Sequence, residues 1–212
     1  MPATTPVSPG PPAGGRRLPG ASGASIVAVF GSSAGRPGEP AYEAARECGR
    51  LLAAAGYTIA TGGYGGTMEA ASRGAAEAGG RVIGVTAPAA FPGRPGANPW
   101  VQVEVPAGTI TERIHRMLSG SAACIALDGS IGTLTELVMA WNLAFVADLA
   151  GAPARPVLAV GPTWAAVVGY LAAATGSDPS GVTLVPDVAA AVAEVKRRVP
   201  PMPARPTRLP RE

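Results

Sequence analysis

The residues best placed by type and spacing to do chemistry lie in two glycine-rich segments. These are Thr61-Gly62-Gly63-Tyr64-Gly65-Gly66-Thr67-Met68-Glu69 and Asp128-Gly129-Ser130-Ile131-Gly132-Thr133-Leu134-Thr135-Glu136. Each follows a short apolar run and opens a helical pattern, a junction where backbone N–H groups and the helix dipole form a pocket for an anion. A shorter turn, Gly31-Ser32-Ser33, follows the first apolar run. In an open parallel sheet the ligand sits beyond the carboxyl ends of the strands, so these three loops are expected to converge. The plainer reading is that the glycines only permit tight turns. Recurrence of the motif in one small domain favours a phosphate or nucleotide site. Its predicted members are Gly31, Ser32, Ser33, Gly62, Gly63, Gly65, Gly66, Thr67, Met68, Gly129, Ser130, Ile131, Gly132 and Thr133.

Arg113 and Glu136 are the charged pair the pattern singles out. Glu136 follows Gly132 by four residues, which aims its carboxylate at the crevice from the start of a helix. Thr133-Leu134-Thr135-Glu136 also spells a capping box, in which the glutamate only reaches back to a backbone N–H. On sequence alone both readings stand. Thr109-Ile110-Thr111-Glu112 spells the same box, and there Glu112 is read as structural. Arg113 follows in that first turn, where the dipole opposes a cation, so an anionic partner is expected to hold it.

Other chemistries find little support. The dinucleotide fingerprint is missing after the first strand, where Gly31-Ser32-Ser33-Ala34-Gly35 stands, which argues against a nicotinamide oxidoreductase. His115 is the single histidine, without a ligand cluster around it, so no metal is expected and no cofactor is assigned. No Ser-His-Asp or Cys-His arrangement stands out. The formal charge is +3 and the sequence pI about 9.2, yet residues 24–199 carry 12 basic against 13 acidic side chains. The basicity belongs to the tails, and a polynucleotide partner is not expected. Cys48 and Cys124 read as buried small hydrophobes in a reducing cytoplasm. No apolar run is long enough for a membrane span.

The elements that must position these groups alternate along the chain. Strands are predicted at Ser25–Phe30, Tyr57–Thr61, Arg81–Thr86, Val101–Val105, Ala122–Leu127, Pro156–Val160 and Val182–Val185. Helices are predicted from Tyr42 to Ala55 with Gly56 as the stop, Gly66 to Ala78, Thr109 to Gly120, Gly132 to Ala147, from Thr163, and up to Arg198. The Pro- and Gly-rich stretch Ala87–Pro99 reads as a surface excursion at the edge of the site. The pattern is α/β, a doubly wound, mostly parallel Rossmann-like sheet of six or seven strands with helices on both faces. The domain spans 24–199; residues 1–23 and 200–212, rich in Pro and Gly or Arg, are expected to be disordered.

Taken together the motifs resemble the Lonely Guy family, the Rossmann-like proteins once mislabelled lysine decarboxylases. That family's Pro-Gly-Gly-x-Gly-Thr-x-x-Glu is matched by Asp128 to Glu136, and its Gly-Gly-x-x-Gly-Leu-Met loop by Gly62 to Met68. Phe30-Gly31-Ser32-Ser33 resembles its first-strand turn, and Glu112-Arg113 falls where it keeps Glu-Arg-Lys. The likeness runs from about Ile26 to Val160. It implies a homodimer that hydrolyses the N-glycosidic bond of a nucleoside 5′-monophosphate, AMP or a modified AMP such as a cytokinin ribotide, to free base and ribose 5-phosphate. Arg113 and Glu136 then match the catalytic arginine and glutamate, and the apolar helix Leu134–Val146 with Trp141 offers a dimer face. Asp128, Ser130 and Ile114 replace the family's proline, second glycine and lysine. These substitutions point toward related branches that bind nucleotides without catalysis or carry the molybdenum cofactor, a phosphate-bearing pterin.

Overall fold

A computed structural model describes Leu18 and residues 25–94 and 96–201. The stretches expected to be disordered lie outside the described residues, apart from Leu18, Pro200 and Pro201; Leu18 is buried. Seven strands form one sheet, every pairing parallel: β1 (Ile26–Phe30), β2 (Thr58–Thr61), β3 (Val82–Thr86), β4 (Val103–Pro106), β5 (Ala123–Ala126), β6 (Val157–Val160) and β7 (Thr183–Val185). Their spatial order is β4-β3-β2-β1-β5-β6-β7. The sheet therefore has the predicted class at its larger strand count, with no antiparallel member.

The helices are α1 (Pro40–Ala54), α2 (Thr67–Glu77), α3 (Ile110–Gly120), α4 (Ile131–Leu149), α5 (Pro162–Thr175) and α6 (Val188–Arg198). Central strands are apolar without interruption because both faces are covered. Val27 and Val29 of β1 face the core beneath α1, α2 and α6. Ile26, Ala28 and Phe30 face the core beneath α3, α4 and α5. Gly49 and Gly74 let α1 and α2 touch backbone to backbone, since a Cβ at Gly74 would collide with the Arg46 carbonyl and one at Gly49 with that of Ala71.

The order in which strands are added reverses between β1 and β5, which run parallel. β1 pairs β2 on one side, through Val27 opposite Ile59, and β5 on the other, through Ala28 opposite Cys124. Loops leaving neighbouring strands there diverge to opposite faces and open a crevice at the carboxyl edge. Thr109 caps α3 by accepting the Glu112 N–H at 3.0 Å, while Glu112 accepts the Gly108 N–H at 2.7 Å. Glu112 is thus the structural residue its sequence context predicted, shifted one position from the usual box.

Candidate functional site

The three glycine-bearing loops meet at that edge. The Thr67 N–H and hydroxyl both donate to the Ser32 carbonyl, at 3.0 and 3.1 Å, which ties the loop after β2 to the loop after β1. Gly66 takes φ +71° against the backbone of Ser32, Ser33 and Ala34, a conformation and an approach that any Cβ would forbid. The Gly31 Cα packs against the Thr67 side chain and faces the Asp128 carbonyl, so the loop after β5 closes the group.

At the start of α4 the first intrahelical bond is Leu134 N–H to Ser130 O, 3.0 Å. The amides of Ile131, Gly132 and Thr133 precede it and carry the positive end of the 19-residue helix. Ser130 is the N-cap, yet its hydroxyl caps no amide. Thr133 is 1% exposed and its hydroxyl, packed against Gly129, has no hydrogen-bond partner among the described residues. A buried hydroxyl without a partner is costly, so an unsatisfied donor beside free amides marks a place built for an acceptor.

Arg113 and Glu136 lie together in the same region. Nη1 of Arg113 meets Oε1 of Glu136 at 3.1 Å, with the residues 8% and 5% exposed. Nε donates to the Val85 carbonyl at 2.7 Å, and Nη2 lies 3.7 Å from the Met68 sulfur. Gly62 makes room, because a Cβ there would overlap the guanidinium. α4 begins at Ile131, one residue earlier than predicted, and its first turn holds no acidic residue. Glu136 falls in the second turn, so the capping-box reading is corrected: its carboxylate goes sideways to Arg113, because Ser130 and not Thr133 occupies the N-cap. Burial pushes the Glu136 carboxyl up to about 7, the Arg113 charge and hydrogen bond opposing. His115, two positions from Arg113, is exposed on another side of α3.

Several residues at this edge were not singled out by the sequence. Tyr64 is buried inside the glycine loop, accepts the Ala87 N–H at 2.8 Å and stacks edge-on with Phe91, centroids 5.5 Å apart. The Arg94 guanidinium sits 4.6 Å from the Tyr64 ring centre and 4.5 Å from that of Phe91. Asn98 pins the loop by donating its side-chain amide to the carbonyls of Gly63 and Tyr64, at 3.1 and 3.0 Å. The excursion after β3 therefore covers the glycine loop after β2. An aromatic residue inside a glycine loop and an arginine inside a Pro/Gly stretch were the available clues.

Trp141 departs from its expected place on an outer helix face. It is 7% exposed, and its indole N–H donates to the Asp178 carbonyl at 3.0 Å, over a close approach at Gly181. The large apolar residues that α4 turns outward are Ile131, Val138, Met139, Leu143, Phe145, Val146 and Leu149. Among the described residues no helix is long and apolar enough to cross a membrane.

The molybdenum cofactor carrier protein from Chlamydomonas reinhardtii is similar at TM-score 0.63 and 26% identity, over 82% of this chain and 98% of that one. The molybdenum cofactor binding protein from the phototrophic bacterium Rippkaea orientalis shares the fold, with TM-score 0.64, 23% identity and coverage of 82% and 96%. An uncharacterised protein from Archaeoglobus fulgidus is 30% identical over 115 residues, 54% of this chain and 72% of that protein. The motif resemblance thus holds at the level of the wider Rossmann-like grouping, and the narrower Lonely Guy assignment is not what is matched. The matching family model covers residues 24–146, more than half of the sequence, and the chain belongs to the SLOG cluster4 family.

Proposed function

We propose that this protein binds a phosphate-bearing heterocycle in the crevice and hands it on unchanged, as a carrier of a molybdenum-cofactor-type pterin. The observation that carries this reading is the start of α4, where three free amides and the partnerless Thr133 hydroxyl sit at the sheet's switch point. Similarity to the Chlamydomonas carrier over nearly the whole of that protein supports it. So does the state of the charged pair. Arg113 directs Nε, Nη1 and Nη2 to Val85, Glu136 and the Met68 sulfur, and both residues of the pair are buried. In that arrangement they brace the crevice from beneath.

The second reading is the phosphoribohydrolase, acting on AMP or a modified AMP, and one observation favours it. With its carboxyl raised to about 7, Glu136 populates both protonation states near neutral pH, as acid–base work requires. Glycosidic cleavage builds positive charge on the ribose, which a carboxylate stabilises while it orients water.

We infer further that a second copy of this chain covers the outer face of α4. Among the described residues the ion pairs of α1, α2 and α6 decorate the opposite side of the sheet, including Arg46–Glu77 at 2.6 Å and Arg197–Glu194 at 2.6 Å. α4 instead exposes an apolar stripe, and Asp148 is its one exposed charge. A reducing cytoplasm fits the two thiols, which lie in different cores on either side of the sheet, each pushed up to about 12 by burial.

Calorimetry with GMP and guanosine tests the binding reading. GMP is expected to bind at least tenfold more tightly, with Thr133→Val weakening GMP about tenfold, the worth of a hydrogen bond to a charged group. Equal affinities for GMP and guanosine would remove the phosphate site. Bound GMP and AMP are expected to stay intact on long incubation, whereas ribose 5-phosphate released by wild type and not by Glu136→Gln would establish the hydrolase. Because the folded carboxyl of Glu136 lies above its unfolded value, its contribution is full below about pH 4.5 and is lost as pH rises through about 7. The melting temperature of wild type relative to Glu136→Gln should accordingly fall between pH 4.5 and 8; a constant difference would show that the group does not titrate there. Light scattering at micromolar concentration should give a dimer that Val138→Glu with Val146→Glu dissociates. A monomeric wild type would contradict the α4 interface.

A further inference from the structure

Beside the phosphate site lies a cavity of about 420 Å³ lined by Ser33, Tyr64, Glu69, Arg94, Ala97 and Asn98, among others. It adjoins the loop after β1 through Ser33, the loop that also packs against the glycine segment after β2 and faces Asp128. A ligand whose phosphate lies at the start of α4 can therefore extend its ring system across the mouth of β1 into this space.

The walls of the cavity are chemically asymmetric. Arg94 provides a guanidinium plane braced from behind by the Tyr64 and Phe91 rings. Guanidinium planes stack on flat heterocycles. The backbone around it is fixed, because Asn98 bonds the carbonyls of Gly63 and Tyr64 and Tyr64 bonds the Ala87 amide. Glu69, in the first turn of α2, also lines the space, and its Oε2 lies 3.8 Å from where a Gly65 Cβ would be. The carboxylate is part of the cavity wall. Among the described residues Glu69 engages no cation and donates to or accepts from no other group, although Arg73 one turn on is occupied with Glu77 at 2.8 Å.

An ionised carboxylate accepts hydrogen bonds and donates none. Its two oxygens match two adjacent N–H groups on one edge of a planar ring. The 2-amino-4-oxopyrimidine edge of guanine and of a pterin presents this pair, a ring N–H beside an exocyclic amine. The adenine edge offers an acceptor at the corresponding ring nitrogen, which a carboxylate repels. We propose that Glu69 is a specificity-determining residue, reading the 2-amino-4-oxopyrimidine edge of a ligand stacked on Arg94. The site consequently selects pterins and guanine nucleotides over adenine nucleotides. This rests on the carrier reading above, and it names the residue that reads the ring.

The test is calorimetry of the full chain with GMP, IMP, AMP and neopterin monophosphate. IMP keeps the ring N–H and lacks the amine; AMP lacks the matching ring donor. Wild type should bind GMP at least tenfold more tightly than AMP, with IMP between them, from charge-assisted hydrogen bonds of ordinary strength. In Glu69→Gln the ratio of GMP to AMP affinity should shrink to within about threefold, a change that loss of helix stability alone would not produce, since both ligands would weaken together. Glu69→Asp, which keeps the charge at the helix start, should retain the order of preference with lower affinity. Tighter binding of neopterin monophosphate than GMP would assign the natural ligand to the pterins, and the reverse to guanine nucleotides; either supports the role of Glu69. Equal binding of GMP, IMP and AMP by wild type, each still phosphate-dependent, overturns this inference and leaves the carrier reading standing. Loss of phosphate dependence overturns the carrier reading itself.

Discussion

The crevice depends on a single buried ion pair. Arg113 reaches from α3 to the end of β3, under the loop after β2, and onto α4, where Glu136 meets it at 3.1 Å. A charge taken out of water needs hydrogen-bond partners, and here a carboxylate, a carbonyl and, more weakly, a sulfur supply them. Removing one partner of such a pair costs about 3–5 kcal/mol, because it strands the other. The space the guanidinium fills exists because Gly62 carries no Cβ. The glycine that looked like a phosphate ligand in the sequence thus also makes room for the arginine beneath the site.

That arrangement separates the work of the charges from the work of the backbone. Net charge over the domain is close to neutral, so long-range attraction contributes little to drawing in an anion. In the proposed carrier role the local field at the start of α4 carries the task, reinforced by the Thr133 hydroxyl. Arg113 and Glu136 hold α3, α4 and β3 in register and thereby set the separation of the loops above them. In the same proposal ring recognition falls to a different segment, the excursion after β3, whose Arg94 and Asn98 dock on the glycine loop after β2.

Much of this was readable from residue order. Continuous apolar runs such as Ile26 to Phe30 announce strands covered on both faces, and glycines after them announce the mouths of a parallel sheet. The helix ahead of β5 was legible from Thr109 and Glu112 because capping is a local interaction. What escaped was non-local. Thr133 and Glu136 imitate a capping box at positions that are no longer the helix start, since Ser130 takes the N-cap. Trp141 looked like an interface residue, yet Gly181, forty positions on, lets the Asp178 carbonyl approach its indole. Tyr64, Glu69 and Arg94 come together across about thirty residues of chain, and no periodicity records such a meeting.

The central claim is that the loops after β1, β2 and β5 form one anion-binding crevice headed by the start of α4. Titration of ¹⁵N-labelled protein with inorganic phosphate, followed amide by amide, addresses it most directly. The largest shifts should fall on Ile131, Gly132 and Thr133, with smaller ones on Ser32 and Ser33, and saturate together with a single dissociation constant. Shifts confined to the charged surface of α1 and α6, or independent curves for the separate loops, would contradict a shared crevice.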